Sequence, residues 1–303
     1  MDKTKLKYKQ ALPLDTKILI AKRRIKEWYD YYDGEVYVSF SGGKDSTVLL
    51  HLVREMYPEV EAIFCDTGLE FPEIREFVKS KDNVTWLKPK LNFKQVLDKY
   101  GFPVVSKEQS KYINEAVNTK SDKLRHLRLN GRIDKPSQGK ISNKHQYLIK
   151  ANFKISDKCC DIMKKNPIKA FNKISGKFSF TGIMAEDSML RNQSYLKYGC
   201  NSFNSKRPQS RPLMTWLEKD IWEYIKTYDV FYSKIYDMGY KRTGCVFCMF
   251  GVHLEKSENR FQILYKTHPH LHKYCMEKLG LKEVLEFINI NPYPETEIQQ
   301  ELF

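Results

Sequence analysis

The hydrophobic positions of this chain change period several times, and each change marks an element. Between residues 16 and 32, Ile18, Ile20, Ala21, Ile25, Trp28 and Tyr29 recur at helical spacing and stop at Asp33-Gly34, a turn signal. Val36-Tyr-Val-Ser-Phe40 is short, β-branched and aromatic, as a buried strand is. After Gly42-Gly43 the helical repeat returns in Thr47, Val48, Leu49, Leu50, Leu52 and Val53. Val60-Glu-Ala-Ile-Phe-Cys65 predicts a second strand, 72–78 a helix and Val84-Thr-Trp-Leu87 a third strand. Strands alternating with helices predict an α/β fold, a parallel sheet with crossover helices on both faces. The pattern resumes with a strand Phe178-Ser-Phe-Thr181 ending at Gly182 and a helix at 220–228, and from about 254 it is mostly helical before a polar end. No internal repeat is present.

Composition narrows the class. A chain of 303 residues can bury a full core without disulfides, and 41% hydrophobic with 29% charged residues reads as globular. The formal charge of +15 favours a polyanionic partner or a nucleotide. The start, Met1-Asp-Lys-Thr-Lys-Leu-Lys, lacks the apolar stretch of a signal peptide, and no later segment has about 18 apolar residues in a row. The expectation is a cytoplasmic protein with no membrane partner. Its seven cysteines are then read as ligands, reactive thiols or core residues rather than disulfides.

The charge is uneven. Residues 120–150 carry nine basic side chains (Lys120, Lys123, Arg125, Arg128, Arg132, Lys135, Lys140, Lys144, Lys150) against Asp122 and Asp134, a local excess of seven. This basic insertion is either a solvated charged hairpin or a contact for a nucleic acid.

The most specific motif is Ser39-Phe-Ser-Gly-Gly-Lys-Asp-Ser46, lying between a strand and a helix. A pyrophosphate needs a concave array of N–H groups and a helix N-terminus, which such a turn supplies. Gly42 and Gly43 permit close backbone approach, Lys44 adds a positive charge, and Ser39, Ser41 and Ser46 add hydroxyl donors. The spacing is not that of a Walker loop. It resembles the pyrophosphate (PP) loop of adenine nucleotide α-hydrolases, whose members cleave ATP between the α and β phosphates. Cys65-Asp-Thr-Gly-Leu-Glu-Phe-Pro72 ends the second strand at the ligand-binding edge of such a sheet, where Asp66, Thr67 and Gly68 face ribose or adenine, or simply cap the next helix.

Together these runs resemble the phosphoadenosine phosphosulfate (PAPS) reductase family. So do Thr181-Gly-Ile-Met-Ala-Glu-Asp-Ser-Met-Leu-Arg191 and Arg211-Pro-Leu-Met-Thr-Trp-Leu-Glu-Lys-Asp-Ile-Trp-Glu-Tyr-Ile225. The resemblance implies an α/β PP-loop domain over 34–230, an N-terminal helix over 1–33 and a helical, cysteine-bearing region over 231–303. It implies an adenine nucleotide, ATP with Mg²⁺, held by residues 39–46, Asp66, Thr67, Gly68 and Gly182, with Lys44, Asp45 and Arg191 as catalytic candidates.

Cys159-Cys160 and Cys245-Val-Phe-Cys248 supply two thiol pairs, enough for four ligands to one metal or cluster. The arrangement, with Lys164 after the first pair, resembles the iron–sulfur adenosine phosphosulfate (APS) reductases and implies a [4Fe-4S] cluster; a structural Zn²⁺ suits the same sulfurs. Cys65 and Cys275 read as packing, Cys200 as a candidate reactive thiol, and His268, His270 and His272 as a solvated turn. Two departures break the resemblance. The end of the sequence, 295–303, has no Glu-Cys-Gly-(Ile or Leu)-His motif, and Met184 stands where the family has arginine. Sulfate reduction is therefore the alternative reading, beside a non-catalytic nucleotide sensor or nucleic-acid binder. The preferred expectation is an ATP-using sulfur-transfer enzyme, akin to the sulfur-transfer component of DNA phosphorothioation, served by a sulfur-donor protein.

Overall fold

The computed structural model describes residues 2–294. In chain order its principal elements begin with α1 (Lys3–Gln10), α2 (Leu14–Tyr31), β1 (Val36–Ser39), α3 (Lys44–Met56), β2 (Ala62–Cys65), α4 (Pro72–Lys79) and β3 (Val84–Leu87). Next come α5 (Phe93–Tyr100), β4 (Val104–Val105), α6 (Lys107–Asn118), α7 (Asp122–Asn130), α8 (Asn166–Ser175), β5 (Phe178–Thr181), α9 (Met189–Tyr198), β6 (Gln209–Ser210) and α10 (Glu218–Thr227). β7 (Met249–Phe250), α11 (Arg260–Thr267), α12 (Pro269–Lys273) and α13 (Leu281–Phe287) complete the series. The described chain divides into two compact units: residues up to 66, 70–88 and 167–243 form one, and 67–69, 89–166 and those from 244 onward the other.

The first unit holds the expected parallel sheet, in the order β3-β2-β1-β5-β6. Every pairing is parallel, for example Val38 with Ala62 and Val36 with Phe178. Val36, Tyr37 and Val38 are all buried, which is why β1 reads as a continuous apolar run rather than an alternation. From β1 the chain winds outward through β2 to β3, and then returns to the other flank of β1 as β5. The sheet therefore has a topological switch point between β1 and β5, where open α/β sheets form their ligand crevice.

Helix α2 buries Leu14, Ile18, Ala21, Ile25 and Trp28, the stripe its periodicity predicts, but it also buries Lys17. The Lys17 ammonium meets Asp220 at 2.5 Å and the Gln10 carbonyl at 2.7 Å. Asp220 also accepts the Leu217 N–H at the start of α10, so one carboxylate serves a buried ion pair and a helix terminus together.

The second unit pairs β4 with β7 in parallel, Val104 opposite Met249. The basic segment 120–150 belongs to this unit and forms α7, a loop and a 3₁₀ turn at Asn143–Lys150. Of the three histidines expected in a solvated turn, His268 caps α12 and His270 is exposed on it, but His272 is not solvated. Pro269 starts α12, and the i,i+4 spacing of His268 and His272 carries His272 into the interior, where it packs on Tyr265 and Tyr293 with Nε2 3.1 Å from the Pro292 carbonyl. Residues 295–303, the stretch without the Glu-Cys-Gly motif, lie outside the described residues. Among the described residues no helix is long and apolar enough to cross a membrane.

Candidate functional site

The loop between β1 and α3 is built by two different glycines. Gly42 has φ +72°, and a Cβ there would meet Val78 at 2.8 Å and Ile74 at 2.9 Å, so both conformation and space require glycine. Gly43 is extended and caps α3. A Cβ on it would lie 2.7 Å from Thr243 Oγ1 and 3.3 Å from the Tyr236 hydroxyl. Ser46 fixes the turn: its Oγ donates to the Gly43 carbonyl at 2.9 Å, accepts the Ser41 N–H at 3.2 Å and lies 3.0 Å from Ser41 Oγ. Ser39 remains in the strand.

Lys44 is 5% exposed, and its ammonium is held by Glu218 at 3.2 Å, Asp45 at 3.6 Å and the Lys241 carbonyl at 3.4 Å. Burial works against this charge, but Asp45, Tyr236 and Glu218 more than offset it and leave its pKa above the ordinary lysine value. Asp45 moves up from the usual carboxylate range because it is buried; Lys44 opposes this, while Asp187 and Glu218 add to it. Gly182, at the end of β5, has a purpose its motif does not state. A Cβ there would stand 2.8 Å from the Asp45 carbonyl oxygen and 3.0 Å from Ser46 Cα. The switch point thus brings Gly182 and the loop together by backbone-on-backbone packing.

Arg191 pairs with Asp187 one turn away, and Glu186 accepts the Glu218 N–H at 2.9 Å. Met184 is buried. Asp66 follows β2, buried, with Arg75 at 2.9 Å. Thr67 and Gly68 follow at the passage into the second unit, where Thr67 Oγ1 accepts the Leu69 N–H at 3.2 Å. Sequence reasoning missed Tyr236, Thr243 and Glu218. They lie some 170–200 residues from the loop; Glu218 falls within the run 211–225 that carries the family resemblance, but nothing in the local pattern of any of the three ties it to the loop.

All four candidate ligand cysteines lie in the second unit. The Cys159 thiol is pushed up by burial first, then by Cys245, Cys160 and Cys248, with Lys164 opposing. That mutual influence means the pairs are neighbours although more than 80 residues separate them. Cys248 is raised by burial and eased by the Phe250 backbone and Arg260. Among the described residues no three His, Cys, Asp or Glu side chains are gathered as they would be around one metal ion. Cys200 is buried in a cluster with Leu6, Ala185, Tyr195 and Met214, and burial raises its pKa, which suits a packed thiol rather than the reactive one considered from sequence. Cys275 is buried as expected, its thiol pushed up to about 12.

In the basic segment the arginines tie the backbone together. Arg128 reaches Glu115 at 2.6 Å and the Gly139 carbonyl at 2.7 Å, and lies 4.1 Å over the Tyr112 ring. Arg125 donates to the Thr119 carbonyl at 2.6 Å, and Arg132 binds Asp134 through two nitrogens. Lys120, Lys123, Lys135, Lys144 and Lys150 are exposed.

With this geometry in place, comparison with known proteins decides the family. A family model of the phosphoadenosine phosphosulfate reductase domain matches residues 35–105 and 90–250. The chain belongs to this family. It is 28% identical over 234 residues to the uncharacterized protein MJ0973 of Methanocaldococcus jannaschii, a match covering 74% of this chain and 44% of that protein. It thus spans less than half the length of that relative. It is 23% identical over 271 residues to the adenosine 5'-phosphosulfate reductase of Anoxybacillus flavithermus, covering 88% of this chain and 96% of the reductase. The crystal structure of a PAPS reductase from Candida auris in complex with phosphate aligns with TM-score 0.43 at 15% identity, over 81% of this chain and 96% of that one. As a PAPS reductase family member, the chain comes from a family of enzymes that act on adenine nucleotides.

Proposed function

We propose that the chain is an ATP-using sulfur-transfer enzyme of this family. The observation that carries the reading is the loop at 41–46, which combines a left-handed Gly42, an extended Gly43, hydroxyls at 41 and 46 and a buried lysine at the N-terminus of α3, beside the switch point. The loop would hold the β and γ phosphates. Mg²⁺ would balance their charge, with Asp45, Asp187 and Glu218 as the carboxylates whose charges reach that place. An acceptor oxygen attacks the α-phosphorus, the bond to the β-phosphate oxygen breaks and pyrophosphate leaves with that electron pair. A sulfur nucleophile then displaces AMP from the adenylated acceptor. Lys44, and Arg191 once released from Asp187, stabilise phosphate charge by position alone.

Cys159, Cys160, Cys245 and Cys248 would hold a [4Fe-4S] cluster. What supports this is that Cys160, Cys245 and Cys248, from two distant segments of the same unit, all act on the Cys159 thiol, so that both pairs lie within electrostatic reach of it. The cluster would supply a binding place for sulfur. The exposed lysines of 120–150 favour a nucleic acid as acceptor. Sulfonucleotide reduction is the second reading, and it needs an outside thiol, since Cys200 is buried.

The test is radiolabelled ATP with the anaerobically purified chain. Pyrophosphate release with AMP formation, abolished in Lys44→Ala and Gly43→Val, is expected. Release of sulfite from APS or PAPS in place of that would establish the second reading, and tight ATP binding with neither product would leave a sensor. Iron and sulfide analysis checks the cluster, and stoichiometric zinc without sulfide would replace it.

A further inference from the structure

The N-terminus of α3 does not end on its own loop. Lys44 is the first residue of that helix, so its N–H has no intrahelical acceptor, and it donates instead to the Tyr236 hydroxyl at 2.8 Å. The phenol arrives from nearly two hundred residues away and is held firmly. Ser233 caps the short turn Lys234–Tyr236, Ile235 in that turn is fully buried, and the Tyr236 ring packs edge-on against Trp222 at 5.4 Å and against Tyr232 at 6.2 Å. The Lys44 ammonium lies 5.6 Å from the centre of the same ring.

A hydroxyl that accepts one hydrogen bond still has a proton to give. The Tyr236 hydroxyl faces Thr243 Oγ1 at 3.4 Å, a long contact for two hydroxyls. Both oxygens stand over Gly43, as the 3.3 and 2.7 Å approaches of a Cβ built there show. A chain from N–H through a hydroxyl to an anion polarises along its length, so a phenol on a helix N-terminus is a better donor than a phenol in water. Burial raises the Tyr236 pKa, while Thr243 and Lys44 lower it; the net shift is upward, so the proton is retained at neutral pH.

We infer that Tyr236 and Thr243 are phosphate-binding residues, extending the N-terminus of α3 by two hydroxyl donors that take oxygens of a polyphosphate. The assignment rests on the nucleotide reading given above and adds to it a part of the site that the loop motif does not contain. It also accounts for Gly43, because any side chain there would fill the space the two hydroxyls overlook.

Calorimetric titration with MgATP, inorganic pyrophosphate and AMP tests it in the full chain. Tyr236→Phe keeps the ring and its packing and removes one oxygen; Thr243→Val keeps shape and removes the other. Each should weaken ATP and pyrophosphate binding about tenfold, the worth of one hydrogen bond to a charged group, and leave AMP unchanged. Thr243→Ser should restore binding. Thermal unfolding midpoints equal to the parent's would separate this from a structural loss. Pyrophosphate affinity that is unchanged in both variants, or tighter in Tyr236→Phe, overturns the assignment, the latter because the hydroxyl would then be competing with phosphate. A parent that binds neither ATP nor pyrophosphate overturns the nucleotide reading and this inference with it, whereas failure of the variants alone leaves that reading standing.

Discussion

Gly182 has no room for a methyl group, and the obstacle is backbone. In Gly182→Ala, β5 or the first turn of α3 must shift by several tenths of an ångström, so a loss of about 1–3 kcal/mol and weakened ATP binding are expected, read by denaturant unfolding and calorimetry. Asp45 gives a second result of this kind. Its folded-state pKa lies above its unfolded one, so the folded chain binds the proton more tightly, and stability present below the unfolded value is lost as pH rises through the folded value. Asp45→Asn should therefore unfold at a higher temperature than the parent at pH 7, with the gain fading toward pH 4. Equal midpoints across that range would show the carboxylate carries no such burden. Cys200 should resist alkylation in the native chain and react after denaturation, because its thiol is buried among Leu6, Tyr195 and Met214. At this scale the sequence pointed to the loop but not to the groups that face it. Gly42, Lys44 and Ser46 are legible because their neighbours in sequence are their neighbours in space. Tyr236 is not, because a lone tyrosine has no local signature, and Glu218, though within the run 211–225, has nothing nearby in sequence that ties it to the loop.

Among the elements, β1, β2, β3, β5 and α3 follow from apolar period, whereas the two-residue strands β4, β6 and β7 are too short to show one and α2 hides a charge within its apolar stripe. Lys17 reads as a solvated residue, yet it is fully buried on Asp220. Removing one member of such a pair strands the other, so Lys17→Met should cost about 3–5 kcal/mol, while the double variant with Asp220→Asn should recover part of it. A thermodynamic cycle on urea midpoints measures the coupling; strict additivity would mean the pair is not coupled. The basic segment holds a comparable lesson. A count of charges makes its arginines and lysines equivalent, but Arg125 and Arg128 are engaged in holding α6, α7 and the following loop together, and Arg132 is paired with Asp134 within that loop. Arg128→Ala should destabilise the fold. Lys120, Lys123, Lys135 and Lys144 changed together to glutamine should preserve it and reduce both nucleic-acid affinity and the slope of affinity against salt. A quadruple variant that binds RNA and DNA like the parent would leave the segment a solubilising loop.

For the molecule as a whole, composition and the alternation of periods were enough for the class of fold, because a parallel sheet forces its crossovers to be helical. The partition of the chain was less legible. Each unit gathers segments far apart in sequence, and no change in composition at Lys88 or Pro167 announces that the sheet is interrupted there and later continued. The order of pairing in that sheet has a consequence for biosynthesis. β1 is central and apolar, but its partner β5 begins at Phe178, about 140 residues after β1 ends. At ribosomal rates of about 5–20 residues per second, one edge of β1 waits unpaired for roughly 7–28 seconds while the intervening segment is made. Throughout that interval the nascent chain displays an open hydrophobic strand, the template on which neighbouring chains aggregate. Slower translation beyond Lys88 should therefore lower the soluble yield, and a chaperone that shields nascent strands should restore it.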